Sequence, residues 1–508
     1  MSSVKIKNQS CNSFPKAKYT LEKRTIIQTA CILTIVAYKV SWLIRYGINY
    51  ADDDQCLMWY GTAMFAHGKI PEPCFLGQSY GAMLESILAV PLYWLGIPLN
   101  VALPLVTAIL STLPIILMII ICKKELSVVL ITCSFLMMSY AVDALLIVPR
   151  NLVGGICVTT LACLCMAETQ NVWIRSMLAT AACIGVVVTN SAVIILAAGG
   201  GHLFLKEKLF KNMFPFAVGG VLSGGYYFFV QWFYNKNPDF NLHGGISISY
   251  DFHQLKGTRD VLLTLLEDLT VFSSWKIAVI LILISIVYGI LHRRWDYLFP
   301  EVIGIIGCIA LMGLPKVNDY AEGVLFSRLR MFLFVPYLIC LVVYIASKHP
   351  TPTNDWSGIK NLTMLILCFL ALGSVFFKGY QITDNLKSEG DLTYTGVVRV
   401  GRTEKFMEEN EEILKDAEKE NVDWIISMTD WRMEAYALAA QGYGKHHFYN
   451  ATYDRRTWEY QEASKPTDGT NVMLLWRDTD GYSYELCWLE GKSITSYLYN
   501  TYGLKRRP

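Results

Sequence analysis

Residues 101–122 read VALPLVTAILSTLPIILMIIIC, an apolar segment without a single charged side chain. A helix of about 20 such residues crosses the ~30 Å hydrocarbon layer of a bilayer. Comparable apolar runs recur from residue 25 to about 379, in a chain of 508 residues that is 53% hydrophobic and only 17% charged. This composition excludes an ordinary soluble protein and predicts a multi-pass helical membrane protein.

Working outward from that segment, the pattern predicts about eleven transmembrane helices. The predicted spans are 25–44, 101–122, 126–148, 152–167, 176–187, 191–205, 214–233, 277–291, 297–314, 331–347 and 361–378. The first has no small-residue cleavage site after it, so we expect it to be retained as a span.

An odd number of spans places the two termini on opposite sides of the membrane. With the N-terminus in the cytoplasm, the cytoplasmic segments hold 16 basic and 6 acidic residues, and the opposite loops hold 10 basic and 12 acidic. This is the asymmetry that the positive-inside rule describes. We therefore expect a cytoplasmic N-terminus, outward-facing long loops and an extracytoplasmic C-terminal region, as in a bacterial inner membrane protein. The net charge of +2 gives no indication of nucleic-acid binding.

The long first outer loop contains two helical patterns. From residue 54 to 67, apolar side chains recur at helical spacing, and from residue 80 to 95 a second apolar segment has Glu85 as its only charge. Both are typical of interfacial helices. The second could instead be a span, but every later loop would then reverse and the basic clusters would move outside. The charge distribution favours the interfacial interpretation.

The chain turns polar near residue 380, which predicts a membrane domain over residues 1–379 and a small α/β soluble domain over 380–508. Helices are predicted at 404–420 and 434–441, and strands at 423–428 and 472–476. This region has no glycine-rich phosphate loop, no metal-spaced Cys or His set and no nucleophile elbow.

Fourteen cysteines are present, most of them inside apolar spans, where cysteine behaves as a small hydrophobic residue. Cys56 and Cys74 both fall in the first outer loop. The sequence leaves open whether they form a disulfide or remain thiols.

Asp52, Asp53 and Asp54 stand in a row between the first span and the first interfacial helix. Acidic residues at a helix N-terminus suit the helix dipole, and one of them can serve as N-cap, so a purely structural role is one interpretation. Gly68 follows 14 residues after Asp54, and the next helix opens with GQSYGAMLE at residues 77–85.

This loop resembles the first extracytoplasmic loop of C-type (GT-C) glycosyltransferases, a superfamily that includes protein O-mannosyltransferases and the aminoarabinose transferase of lipid A. The resemblance implies transfer of a sugar from a polyprenyl phosphate to a glycan, lipid or protein acceptor. It makes Asp54 the general base, or Asp53 if the register shifts by one. Gln55 stands where relatives often carry Glu. The supporting residues from this loop are Asp52, Gln78, Tyr80 and Glu85.

Cations at the outer ends of the spans are candidates for the donor phosphate, because guanidinium groups match phosphate geometry. They are Arg150, Lys316, Arg328 and Arg330. The alternative for such residues is a simple interfacial anchor. Weaker echoes of the superfamily occur at residues 150–155, 188–190 and 327–330.

Asp143 lies inside the predicted third span, where a charge is costly and is usually functional or paired. Lys39 in the first span is its expected partner, and the pair could be structural or functional. His243 and His253 in an outer loop could contact sugar, phosphate or a divalent metal. No cofactor is predicted with certainty, and metal dependence stays open.

The function predicted from the sequence is an inverting glycosyltransferase with its site at the outer membrane surface. A lipid or polysaccharide transporter is the first rival and would require internal repeats with matched midplane breaks. A non-catalytic glycan-assembly partner with the same fold is the second rival, which Gln55 keeps open.

Overall fold

The computed structural model describes residues 14–70, 72–74, 83–206, 209–237, 275–312, 330–348, 357–385, 392–394, 399–429, 432–452, 462–478 and 481–504. Within these residues, six helices are long and apolar enough to cross a membrane, and further apolar helices of 10–17 residues lie among them. The chain is therefore a multi-pass membrane protein, as the sequence predicts.

The helices of the membrane part follow the predicted spans closely. They are α1 (Phe14–Trp42), α2 (Asp53–Ala66), α3 (Leu84–Trp94), α4 (Leu99–Ile121), α5 (Glu125–Leu136), α6 (Tyr140–Leu145), α7 (Gly154–Glu168), α8 (Val172–Val188), α9 (Ala192–Lys206), α10 (Leu209–Lys236), α11 (Trp275–Leu291), α12 (Trp295–Met312), α13 (Val335–Ser347) and α14 (Ser357–Asn385). A π-helical turn, Leu43–Gly47, extends α1, and a 3₁₀ turn, Arg330–Phe332, precedes α13.

The bundle packs around a core contributed mainly by α4, α5, α7, α9 and α13. Tyr337 on α13 is fully buried there, and its hydroxyl donates to the carbonyl of Ser111 on α4 at 2.8 Å. The two loop helices α2 and α3 pack on each other and on α4. Gly68 follows α2 at φ +71°, a left-handed conformation that glycine adopts without steric cost, so the predicted helix end is confirmed.

The predicted span 126–148 is not one helix. It ends at Leu136 and restarts at Tyr140, and the break lies where Lys378 of α14 enters the bundle. The ammonium of Lys378 donates to the carbonyls of Leu136 at 2.7 Å and Met138 at 2.9 Å. An interrupted helix is tolerated at membrane depth only when its freed backbone groups find partners, and Lys378 supplies them.

Asp143 on α6 forms an ion pair with that lysine. Its Oδ2 lies 2.5 Å from the Lys378 ammonium and accepts from the hydroxyl of Tyr38, and its Oδ1 lies 3.9 Å from the ammonium of Lys39. Asp143 and Lys378 are 1% and 0% exposed. The expected pairing of Asp143 with Lys39 is therefore present, but Lys378 is the closer partner. Because Lys378 also donates to the carbonyls at the helix break, the cluster favours a structural role.

The polar C-terminal region folds as a mixed α/β unit. Its elements are β2 (Leu392–Tyr394), β3 (Arg399–Arg402), α15 (Thr403–Lys419), β4 (Trp424–Ser427), α16 (Arg432–Gln441), β5 (His447–Asn450), β6 (Thr470–Asp478), β7 (Gly481–Leu489) and α17 (Ile494–Tyr502). The main sheet has the order β5-β4-β6-β7, with β4 parallel to β5 and β6, and β7 antiparallel to β6. The predicted division at residue 380 falls in the last turns of α14.

A second, three-stranded sheet joins this unit to the first outer loop. The strand β1 (Tyr50–Ala51), which follows the first span, pairs antiparallel with β3, and β3 pairs with β2. The backbone N–H of Thr403 donates to the carbonyl of Asn49 at 3.0 Å, and its hydroxyl donates to the carbonyl of Ile48 at 2.9 Å. The loop and the C-terminal unit therefore lie on the same side of the membrane.

The two regions also share one hydrophobic core. Trp59 and Tyr60 of α2 are 1% and 0% exposed and belong to a cluster that includes Phe406 of α15 and Met473 of β6. The rings of Trp59 and Phe406 lie 5.8 Å apart. The helix α2 is thus buried between the bundle and the C-terminal unit and does not lie free at the interface.

Cys56 and Cys74 are both buried free thiols. Cys56 is 0% exposed on the face of α2 that packs against the C-terminal unit, so the disulfide that the sequence left open is not formed.

Replacing Phe406 by Ala should loosen the C-terminal unit from α2. Truncation of a buried Phe costs about 3–5 kcal/mol, because it removes apolar contact and leaves a cavity. We expect faster proteolysis between residues 386 and 402 and a lower melting temperature. Phe228→Ala, at a side chain 72% exposed on α10, is the matched control and should change neither. Equal resistance of both variants would contradict a shared core.

Replacing Lys378 by Met should destabilise the bundle by about 3–5 kcal/mol, because Asp143 would stay buried with its close counter-ion removed. Lys39→Met should cost less, since that ammonium lies 3.9 Å from the carboxylate. Thermal unfolding of the two purified variants measures the difference. A larger loss in Lys39→Met would show that we have assigned the wrong principal partner.

Candidate functional site

The three acids before α2 occupy three different environments. Asp52 is 5% exposed and caps the helix by accepting the backbone N–H of Gln55 at 3.0 Å. Asp53 and Asp54 form the first turn of α2 and are both exposed, with the Asp54 side chain 53% accessible. The N-cap role that the sequence left as an alternative therefore belongs to Asp52, which leaves the other two acids available for chemistry.

Arg150, in the segment between α6 and α7, is the cation that organises these acids. Its guanidinium pairs with the Asp52 carboxylate, and its Nη1 lies 3.5 Å from Oδ2 of Asp54. The Arg150 side chain is only 4% exposed. A buried arginine bridging two acids fixes the direction of the Asp54 carboxylate while that carboxylate stays open to solvent.

A second cation lies close to the first. Burial lowers the pKa of Arg150 to about 9, Tyr46 opposes this effect, and the positive charge of Arg330 lowers the pKa further. Arg150 therefore stays charged at neutral pH. Arg330 is half-buried at the start of the 3₁₀ turn before α13. The accessible Asp54 carboxylate therefore lies beside one guanidinium, and a second guanidinium interacts with the first.

The backbone that carries Arg150 is held by a close helix contact. Asn151 adopts φ +57°, and the hydroxyl of Thr189 donates to its carbonyl at 3.5 Å and accepts from the N–H of Gly155 at 3.3 Å. A Cβ on Gly155 would collide with the carbonyl of Gly185 and lie 2.7 Å from the backbone nitrogen of Thr189. The segments 150–155 and 188–190, which weakly resemble the superfamily in sequence, are thus in contact.

Glu85 points toward the same segment from α3. It is 0% exposed, and its carboxyl group lies at the N-terminus of α7, 3.4 Å from where a Cβ on Gly154 would be. Burial raises the pKa of Glu85 to about 7, and the backbone N–H groups of Val153 and Gly154 offset this only in part. A carboxyl group with a pKa near neutrality beside the candidate site can gain or lose a proton under physiological conditions.

The C-terminal unit brings one more acid to the site. Glu434 on α16 is 9% exposed, and its pKa is raised by burial, lowered by Arg477 and raised by the negative charge of Asp53. Asp53 and Glu434 also both raise the pKa of Cys56, which puts Glu434 of α16 near the side of α2 that carries Asp53 and Cys56. Asp53 therefore faces the C-terminal unit, whereas Asp54 faces Arg150.

Sequence reasoning missed Glu434 and Lys378. Lys378 carried a usable signal, since it is a lone lysine at the end of an apolar run. No sequence signal marked Glu434, because a single Glu is common in amphipathic helices.

Six of the predicted site residues lie outside the described residues. They are Gln78, Tyr80, His243, His253, Lys316 and Arg328. Within the ranges that are described, no group of three His, Cys, Asp or Glu side chains is arranged to hold a metal ion.

No protein-family model matches the chain, and no curated protein matches it in sequence. Two crystal structures of ArnT from Cupriavidus metallidurans are similar to it in layout, one bound to undecaprenyl phosphate and one in the apo state. Each covers 88% of this chain and 93% of its own, at 11% identity and TM-scores of 0.48 and 0.49. At 11% identity the likeness is one of layout alone.

Replacing Glu85 by Gln should change how stability depends on pH. A folded-state pKa of about 7, above the ordinary value of 4.5, means that the wild type loses stability as the pH rises from about 4.5 to 7. The variant should lack this slope and be more stable at pH 8 by up to about 3 kcal/mol. Melting temperatures at pH 5 and pH 8 test this, with the exposed Glu404→Gln as control. A wild type and a Glu85→Gln variant with parallel pH profiles would argue against a protonated Glu85.

Proposed function

We propose that this chain is an inverting glycosyltransferase that moves a sugar from a polyprenyl-phosphate donor to an acceptor hydroxyl at the outer membrane surface. The observation that carries the proposal is the arrangement of Asp54, Arg150 and Arg330. An accessible carboxylate is held 3.5 Å from a buried guanidinium, and a second guanidinium is close enough to repel the first.

The reaction needs few groups, and this arrangement supplies them. Asp54 takes the proton of the acceptor hydroxyl, whose oxygen attacks the anomeric carbon as the bond from that carbon to the phosphate oxygen breaks. The bonding electrons leave with the polyprenyl phosphate, which needs charge stabilisation and no proton. Arg330, which is half-buried and interacts with the buried Arg150, provides that positive charge.

Asp54 is a better candidate for the base than Asp53. Its carboxylate lies 3.5 Å from Arg150, with which Arg330 interacts, so a donor phosphate bound at Arg330 would bring the anomeric carbon to the Asp54 side. Asp53 faces Glu434 of the C-terminal unit. An acceptor hydroxyl that approached from the C-terminal unit would pass both acids. Substitution of Asp53 is therefore the control for substitution of Asp54.

The proposal includes that the site faces the outer side of the membrane and that the acceptor is a glycan, a lipid or a protein. Contacts between the first outer loop and the C-terminal unit support a site on one side of the membrane. A transporter would use charged side chains within the membrane to bind its substrate. Lys378 is instead bound to Asp143 and to two backbone carbonyls. The non-catalytic rival stays open to the following test.

The test begins with lipid extraction of the purified protein and mass spectrometry, which identifies a co-purified polyprenyl-phosphate sugar. With that donor, Asp54→Asn should lower turnover by about 10²- to 10⁴-fold, because Asn keeps the size of the side chain and cannot accept a proton. Donor binding should be unchanged in Asp54→Asn and about tenfold weaker in Arg330→Gln, which loses a charge-assisted contact.

The matched control is Asp53→Asn, which should retain most of the turnover. If Asp53→Asn loses turnover and Asp54→Asn keeps it, the base moves by one residue and the mechanism stands. If the single variants and the double variant all remain active, the base lies elsewhere and the role of this loop is wrong.

A further inference from the structure

A groove on the lipid-facing side of the bundle lies between the first span and the last. It has a volume of about 590 Å³. Its walls include Ala37, Ser41 and Arg45 from the first span and Phe376, Gly379 and Tyr380 from α14. None of these residues belongs to the proposed transfer site.

The dimensions of the groove match one leaflet of a bilayer. The helix that forms one wall runs from Thr34 to Arg45, a rise of roughly 16 Å, which is about half of the ~30 Å hydrocarbon layer. Because α14 leads directly into the C-terminal unit, the groove lies in the leaflet on that unit's side. Its apolar walls suit a single lipid chain lying along the helices.

Arg45 closes the groove at the headgroup level. It lies in the π-helical turn Leu43–Gly47, is exposed, and forms no ion pair with any of the residues that the structure describes. It lies against Gly379 of α14, where a Cβ would be 3.4 Å from Nη1 of Arg45. An exposed guanidinium that has no counter-ion among the described residues, at the end of an apolar groove, is complementary to a lipid phosphate.

An exposed tyrosine next to Arg45 marks the same level. Tyr380 on the α14 wall follows Gly379, the residue against which Arg45 lies, and Tyr380 is 67% exposed. Such aromatic rings are enriched where the bilayer meets water. Arg45 therefore lies at the depth of a lipid headgroup.

We propose that this groove binds one membrane lipid that carries a phosphate headgroup, with its chain between the first and last spans and its phosphate on Arg45. The inference does not rest on the proposed transfer reaction, because it uses none of the residues assigned to that reaction.

Native mass spectrometry of the full-length protein tests the proposal with two matched probes, phosphatidylglycerol and diacylglycerol of the same acyl chains. The wild type should retain phosphatidylglycerol about tenfold better, because only that lipid can form the charge-assisted contact. Arg45→Gln should abolish this preference. Ala37→Trp should fill the groove and remove one bound phosphatidylglycerol.

Two controls leave the groove intact. Leu281→Trp places an indole on the exposed face of α11, and Arg293→Gln removes an exposed arginine elsewhere, so both should bind as the wild type does. Arg330→Gln should also leave phosphatidylglycerol binding unchanged, which separates this site from the proposed donor site. The variants that are compared have melting temperatures equal to that of the wild type.

Equal retention of the two lipids by the wild type would overturn the proposal, since the groove would then hold only ordinary surrounding lipid. A phosphate preference that survives Arg45→Gln or Ala37→Trp would overturn it as well. If Arg330→Gln abolished the preference and Arg45→Gln did not, the phosphate would be bound at the transfer site and the groove would have no specific ligand.

Discussion

The burial of α2 between the membrane helices and the C-terminal unit is the constraint on which the candidate site depends. The helix begins with the three acids, and its apolar face packs on α3 and α4 on one side and on α15 and α16 on the other. The pairing of β1 with β3 fixes the chain just before the acids. With the helix held along its length and at its start, the first turn has a defined position although it is exposed.

Three adjacent carboxylates would repel one another if they shared one environment. The structure separates them by direction. Asp52 pairs with Arg150 and caps the helix, and Asp53 faces Glu434. Asp54 remains accessible beside Arg150. One side chain of the three thereby keeps the combination of exposure and fixed orientation that a general base needs, and its neighbours supply the electrostatic frame.

The buried charges within the membrane have a different cause. Span three breaks at Leu136, and the exposed carbonyls and Asp143 together require a cation, which Lys378 supplies from the last span. Removing water from a bilayer core makes such unsatisfied groups expensive, so the cluster is explained by backbone satisfaction. The last span also leads into the C-terminal unit, and the same helix therefore stabilises the broken span and positions the domain that covers α2.

Hydrophobic periodicity in the sequence determined the number and placement of most helices, because a bilayer imposes a fixed length and an uncharged interior on every span. Capping and turn signals likewise determined the ends of α2, with the acids at its start and Gly68 at its end. The resemblance of residues 52–96 to the first outer loop of C-type glycosyltransferases implied a base in this loop, and that role stays a prediction. These are local properties, and short-range sequence is sufficient to encode them.

Contacts between distant segments were decided only by the tertiary structure. The broken span 126–148 was predicted as continuous because its apolar pattern is uninterrupted, and the lysine that stabilises the break lies 235 residues from Asp143. The roles of Asp52, Asp53 and Asp54 could not be separated either, since adjacent residues share the same sequence context and differ only in what faces them. Arg150 comes from the segment between α6 and α7 and Glu434 from α16, and which acid meets which partner depends on packing that no local pattern records.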